Sequence, residues 1–230
     1  MRRVQVLWAP TLLILLLRPG LLLAQTAPEE QEDKRIFGVI PNNRTSPTLR
    51  DYQPITPSEK FKIAADDSFD RGTFILAALF GGEAQITNST PAFGHGFSAY
   101  ARYYTASWSD FVIGDFMTEG IYPSLLHQDP RYFRQDTGSG WSRLRYAMGQ
   151  IFITHADGGG MQVNVSELLG NATAVGIANA YYPGAHSWSE NAGKLAIQLG
   201  VDMAANIVKE FAPDIERAFS RKRETGSGER

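Results

Sequence analysis

Cysteine is absent from this chain of 230 residues, so it can hold neither a disulfide bond nor a lipid-modified cysteine. The sequence also contains no nucleotide-binding loop and no recognisable catalytic triad. The chain must therefore fold on the burial of its core alone, which about 150 to 180 packed residues can supply. We predict that the protein has no cofactor.

Long apolar runs are also absent, except at the amino terminus. Arg2 and Arg3 precede a leucine-rich stretch that ends near Ala24. A charged start, a short apolar middle and a small residue at the exit predict a signal peptide over residues 1–24 and export to the periplasm or cell envelope. The alternative is an uncleaved anchor, because this run is about long enough to span a bilayer. The next longest run, residues 73–82, is too short.

An excess of positive charge is the third feature that the sequence lacks. The chain has 22 basic and 24 acidic residues, and three of the basic ones lie in the predicted signal peptide. The remainder is acidic, with a net charge of about −5, which argues against a nucleic-acid partner. A basic run beside Gly226 and Gly228 is typical of a solvated chain end, so we predict a disordered tail over residues 220–230.

Helical signals fill the rest of the chain. Residues 25–55 are polar and proline-rich and predict an extended arm, whereas residues 56–219 predict one helical domain. Its first helix begins with a capping box at Thr56 and Glu59. The other helices are expected from about residue 67, and over 97–122, 142–154, 166–180 and 192–211. The predicted fold is mainly α: a compact bundle of about five to six helices preceded by the arm, with no confident strand.

The helices carry polar residues on faces that should be buried. In the third helix Asp110, Asp115 and Glu119 interrupt every face, so some of them must be paired inside the protein. In the last helix Asp202, Asn206 and Lys209 predict a local polar network. The fifth helix has two rows of small residues with a four-residue spacing, namely Gly170, Ala174 and Ala178, and Ala172, Gly176 and Ala180. These rows predict close helix contacts on two sides.

One polar cluster follows the third helix. His127 and Asp129 could form a general base with its orienting partner, and Arg131 could hold an anionic substrate. The structural interpretation is that Asp129 caps a short helical turn that begins at Pro130, while His127 and Arg131 tie loops together.

The second polar cluster is formed by His155 and Asp157, and three glycines follow it. These glycines lack the lysine and hydroxyl residue that complete a phosphate-binding loop. The structural interpretation is a helix that ends near His155 and is closed by glycine. A metal site could be assembled from the two clusters, but no histidine pair has the spacing of a zinc helix, so we predict none.

Three stretches carry a resemblance to a known family. They are SLLHQDPRYFR (124–134), TGSGWSRLRYAMGQ (137–150) and NAYYP (179–183), and they follow a PITPSEKFKIA segment. In this order they resemble a family of exported bacterial proteins found mainly in acidobacterial genomes. The likeness covers about residues 36–215. It implies a bacterial envelope location, and it brings no assigned activity or catalytic residue to this sequence.

Two hypotheses for function follow. The first is a non-enzymatic exported envelope protein that acts through a partner protein, a membrane surface or self-association, because no catalytic constellation is complete. The alternative is a hydrolase-type enzyme that uses His127, Asp129, Arg131, His155 and Asp157. The geometry of these residues separates the two, since an enzyme needs both clusters in one concave pocket.

Overall fold

The structure is a computed structural model that describes residues 35–36, 40–41, 44–46, 52–135, 137–184 and 187–227. The predicted signal peptide and much of the predicted arm lie outside the described residues. The predicted mainly helical fold is confirmed. The helices are α1 (Pro57–Ser68), α2 (Arg71–Ile86), α3 (Phe97–Asp115), a π-helical segment (Phe116–Ile121), α4 (Tyr122–Leu126), α5 (Gly140–Gly149), α6 (Val165–Ala178) and α7 (Trp188–Ser227).

Helix α1 begins as its sequence predicts. The Thr56 side chain accepts from the Glu59 N–H, and the Glu59 carboxylate accepts from the Thr56 N–H at 2.7 Å. Both halves of the capping box are therefore formed. Helix α2 is capped by Asp70, whose carboxylate accepts from the Gly72 N–H, so it begins a few residues later than predicted.

The third predicted helix is longer than expected. Helix α3 continues without a break through the π-helical segment into α4, past Pro123, where the prediction ended. The wider π turn accommodates a residue that has no N–H to donate. The helix finally ends at His127, which takes the left-handed conformation at φ 53° that glycine usually supplies at this position.

Short strands, which the sequence did not predict, lie between the helices. Strands β4 (Gln128–Asp129), β6 (Ile153–Ala156) and β7 (Met161–Val163) form one antiparallel sheet. The predicted helix over 142–154 is therefore wrong beyond α5. The glycines at 158–160 close the β6–β7 hairpin, not a helix, and Gly159 and Gly160 both have positive φ.

Two smaller strand pairs involve the arm. Strand β1 (Arg35–Ile36) pairs antiparallel with β2 (Ile40–Pro41), and β3 (Thr45–Ser46) pairs parallel with β5 (Tyr132–Phe133). The second pair joins the arm to the segment that follows the third predicted helix. The arm therefore contributes residues to the interior of the domain.

Small residues set the helix contacts. A methyl group on Gly81 would lie 2.9 Å from the backbone of Tyr104, and one on Gly170 would lie 2.7 Å from the Thr118 side chain. Among the residues that the structure describes, eight of the 15 buried apolar ones are alanine. The helices therefore approach one another closely, and little space is left for large apolar side chains inside the bundle.

Candidate functional site

The two polar clusters meet on one sheet. Asp129 of β4 is directly opposite His155 of β6, and the Asp157 N–H donates to the His127 carbonyl at 2.9 Å. Residues that are far apart in sequence thus become neighbours through strand pairing.

Asp129 is buried and held by Arg131. Its carboxylate accepts from the Arg131 N–H at 2.9 Å, and from the guanidinium Nε and Nη2 atoms at 3.0 and 2.7 Å. The segment after Pro130 is strand β5 and not a helical turn, so the predicted helix cap is wrong. The predicted role of tying loops together is seen at Arg131, which also donates to the Gln53 carbonyl at 2.6 Å.

Asp157 is held by a different cation. Lys60 of α1 is fully buried, and its Nζ donates to the two Asp157 oxygens at 2.8 and 2.6 Å and to the Pro123 carbonyl at 3.1 Å. His127 lies 3.9 Å from the same carboxylate, and its side chain is 85% exposed. Asp157 therefore anchors the β6–β7 hairpin to α1.

His155 lies among aromatic rings. Its ring centroid is 4.8 Å from that of Phe133 and 6.4 Å from that of Tyr52. Burial lowers the pKa of His155 and outweighs the raising effect of Asp129. Burial, together with the nearby negative charge of Asp129, raises the pKa of Tyr52 to about 12. His155 is thus favoured in its neutral form.

A polar cavity of about 20 Å³ lies on one side of this sheet and has room for about one water molecule. Asp129, Arg131, Thr154 and Glu167 are among the residues that line it, whereas His127, His155 and Asp157 are not. The structure therefore brings the two clusters together along the backbone, but only Asp129 and Arg131 of the five candidate residues line this cavity. Each carboxylate is already bound by a cation.

A second set of polar residues lies deeper in the bundle. Arg44, from the arm, donates to Glu119 of the π-helical segment at 3.1 Å and to Glu167 of α6 at 3.4 Å. The carboxylate of Asp202 in α7 accepts from Asn171 at 3.1 Å. We name this set the interior charge cluster; its members are Arg44, Asp67, Asp115, Glu119, Glu167, Asp202 and Lys209.

The interior charge cluster has five carboxyl groups and two cations, so the carboxyl groups cannot all be ionised at low cost. Burial, with the charge of Asp67, raises the pKa of Glu119 to about 8. Burial and neighbouring carboxylates also raise the pKa values of Asp115 and Asp202. Burial and the charge of Arg44 lower the pKa of Lys209. One oxygen of Glu119 has no hydrogen-bond partner, which fits a carboxyl group that retains its proton.

Arg44 remains charged within the interior charge cluster. Burial alone would lower its pKa, but the carboxylates of Glu119, Glu167, Asp202 and Asp67 outweigh that effect and raise it. The predicted pairing of polar residues in the third and last helices is thus seen at Glu119 and Asp202. The sequence did not indicate Arg44, because its partners come from elements at least 75 residues away.

A third polar contact joins α5 to α7. The buried Glu210 carboxylate accepts from the Tyr132 hydroxyl at 2.8 Å, from the Gln135 N–H at 3.1 Å and from Arg143 Nε at 2.7 Å. Sequence reasoning missed Glu210 because nothing near it in the last helix distinguishes it from a solvent-exposed glutamate.

No protein-family model, curated protein or solved structure matches the chain. Within the part of the chain that the structure describes, no group of three or more histidine, aspartate or glutamate side chains is arranged to hold a metal ion. None of the described helices is both long enough and apolar enough to cross a membrane. The fold and its polar contacts define a helical bundle with a small sheet and a charged interior.

Proposed function

We propose that the protein is a non-enzymatic exported envelope protein that acts at a membrane surface and buries its apolar exterior in the lipid interface. The observation that carries this proposal is the inverted distribution of side chains. Among the described residues, 22 large apolar side chains are exposed, whereas 20 polar or charged residues are buried. The buried apolar residues are eight alanines and seven larger ones, which include Tyr103, Phe133 and Ile151.

Helix α2 displays this inversion most clearly. Its buried residues are Gly72, Thr73, Ala77 and Gly81, which are all small. Its large residues are exposed, and they include Phe74, Ile75, Leu79 and Phe80. A water-soluble helix normally has the reverse arrangement, with its large apolar residues facing the core. An apolar outer face of this kind marks a surface that another apolar phase covers.

Aromatic residues extend this face onto the neighbouring helix. The rings of Phe69 and Phe74 lie 5.9 and 5.6 Å from Trp108 of α3, and Phe80 lies 5.8 Å from Phe111. The outer faces of α2 and α3 thus form one apolar and aromatic surface. Tryptophan and phenylalanine are favoured where protein meets the lipid headgroup region.

Charges are scarce over the same elements. Residues 72–82, 84–101 and 168–189 contain no aspartate, glutamate, lysine or arginine. These segments include most of α2 and α6 and the beginning of α3. Contact of these segments with a lipid surface would therefore desolvate few charges.

Vesicle flotation tests this proposal. We expect the purified protein to float with phosphatidylcholine vesicles and to remain at the bottom of the gradient without them. Leu79→Asp should reduce the floating fraction several-fold, because it places a charge on the outer face of α2. Glu216→Gln, an exposed change on α7, should have no effect. Failure of the parent protein to float with vesicles would contradict the proposal.

The hydrolase alternative gains no support from the geometry. An enzyme would need an acid or base with an unoccupied position beside a substrate pocket. Asp129 and Asp157 are instead bound by Arg131 and Lys60, and the cavity beside Asp129 has room for only about one water molecule. We interpret the two clusters as structural contacts. Asp157 attaches the sheet to Lys60 of α1, and Arg131 attaches it to Gln53 of the arm.

A further inference from the structure

A polar cavity lies where several elements of the domain meet. It is the cavity of about 20 Å³ beside Asp129, and its wall is formed by residues of the arm, the π-helical segment, the sheet, α6 and α7. Because this wall is mostly polar, the cavity suits an occupant that forms hydrogen bonds and not an apolar one. We name it the junction cavity. Its wall includes Arg44, Thr118, Thr154, Glu167 and Asn206, together with Gln150 just after α5.

Asn206 of α7 reaches the junction cavity without a hydrogen bond. The residue is only 8% exposed, and its side-chain amide is hydrogen-bonded to no other described residue. Native proteins rarely leave a buried amide without a partner, because the loss of its hydration is then uncompensated. A partner supplied from within the cavity would remove this cost.

Gln150 presents a second amide of this kind. Its backbone N–H donates to the Tyr146 carbonyl and its carbonyl accepts from Asn164, but its half-buried side chain has no hydrogen-bond partner among the described residues. Each primary amide has two N–H donors and one acceptor oxygen. Two unpaired amides therefore line the same cavity.

Arg44 brings free donors to the same space. A guanidinium group has five N–H donors. In Arg44 three of them are used, by the Pro130 carbonyl and by the carboxylates of Glu119 and Glu167. The others have no partner among the described residues. The arm and α7 thus both have unused polar groups at the cavity, while no direct hydrogen bond joins Arg44 to Asn206.

The charges around the junction cavity favour a neutral occupant. Two carboxylates and two guanidinium groups line it, paired as Glu167 with Arg44 and Asp129 with Arg131. An anion would also be repelled by the other carboxylates of the interior charge cluster. The described acidic side chains are not arranged to hold a metal ion. The volume itself admits about one water molecule.

We infer that the junction cavity binds one ordered water molecule, which bridges Arg44 of the arm to Asn206 of α7 and to Gln150. A bound water molecule typically makes about three hydrogen bonds, so it can satisfy both amides and an Arg44 N–H together. This site joins the arm to the last helix across the cavity. The inference goes beyond the proposed function and does not depend on it.

Magnetic relaxation dispersion of isotope-labelled water provides the main test, because it counts the water molecules that reside for a long time in a protein. In Asn206→Leu the larger apolar side chain should occupy the cavity, so the count should be one lower than in the parent. Gln198→Leu makes a similar change at a half-buried position of the same helix outside the cavity wall, and its count should equal that of the parent. Equal counts in all three proteins, or an equal loss in both variants, would overturn the inference.

A crystal structure of the parent protein covers the case in which Asn206→Leu does not fold. It should show one water molecule within hydrogen-bond distance of both the Asn206 amide and the Arg44 guanidinium group. A water molecule that contacts only one of the two, or direct contact between the two side chains, would show that no such bridge exists.

Bromide tests the chemistry of the occupant in the same crystals. Because a water molecule gives no anomalous scattering signal, crystals soaked in sodium bromide should show no anomalous peak in the junction cavity. A bromide peak between Arg44 and Arg131 would identify an anion site and contradict the inference.

Discussion

At the scale of single residues, the interior of this protein is defined by carboxyl groups that lack enough cations. Glu119 contacts Arg44 through one oxygen only, and its other oxygen has no hydrogen-bond partner. It also lies near Asp67, Glu167 and Lys209. Burial among these groups favours the protonated form of Glu119.

The raised pKa of Glu119 predicts a dependence of stability on pH. The pKa is about 8 in the folded protein and 4.5 for an ordinary glutamate. Between these values the folded state binds a proton that the unfolded state does not, so stability falls as pH rises from about 4.5 to 8. The slope from this group is at most about 1.4 kcal/mol per pH unit.

Glu119→Gln tests this dependence, because the amide stays neutral and keeps the size of the side chain. We expect chemical denaturation to show a weaker decline in stability between pH 5 and 8 than in the parent. Part of the decline should remain, because the pKa values of Asp115 and Asp202 are raised as well. Glu83→Gln, on the exposed side of α2, is the control and should leave the slope unchanged. An equal slope in Glu119→Gln and the parent would contradict the assignment.

At the scale of elements, the two small-residue rows of α6 have different surroundings. Gly170, Ala174 and Ala178 are buried, whereas Ala172, Gly176 and Ala180 are exposed. The prediction of close contact is thus right for the first row and wrong for the second. Both rows have the same four-residue spacing, so the sequence predicted close contact for both. The neighbouring π-helical segment packs against the first row only, at Gly170.

Ala174→Leu and Ala172→Leu form a matched pair on this helix. The first adds bulk to the buried row and should destabilise the protein by about 1 to 3 kcal/mol. The second adds the same bulk to the exposed row and should change stability little, because alanine and leucine have similar helix propensities. Thermal denaturation of both variants measures the difference. Equal melting temperatures would mean that the buried row has space to spare.

The shortest strands show why the sequence did not predict the strands of this protein. Strands β4 and β5 have two residues each, which is too short to show any alternation. Their pairing depends on partners that are distant in the sequence, since β3 of the arm pairs with β5. Asp129 stabilises the turn between β4 and β5, because its carboxylate accepts from the Arg131 N–H. An aspartate that caps a helix makes a similar short-range hydrogen bond, so the sequence did not distinguish the turn from a helix cap.

At the scale of the whole molecule, Arg44 of the interior charge cluster joins several elements. It donates to Glu119, to Glu167 and to the Pro130 carbonyl, and thereby connects the arm to the π-helical segment, to α6 and to the β4–β5 turn. Removal of this cation leaves buried carboxylates without compensation.

Arg44→Met should therefore destabilise the whole domain by about 3 to 5 kcal/mol, as measured by chemical denaturation. The double variant Arg44→Met/Glu167→Gln should recover part of this loss, because it removes a second carboxyl partner of Arg44 that would otherwise remain buried without its cation. Arg217→Met, an exposed arginine on α7, is the control. A small effect of Arg44→Met would mean that the arm is not part of the folded core.

The sequence by itself determined the helical class of the protein, the capping box of α1, the lack of disulfides and the need for polar residues to pair inside the bundle. These properties depend on residues within a few positions of one another or on composition. The tertiary structure decided the strand pairing, the partners of Arg44, Lys60 and Glu210, and the outward direction of the large apolar residues of α2. Each of these depends on which distant segment lies alongside, and the amphipathic pattern is the same whether the large or the small face of a helix is buried.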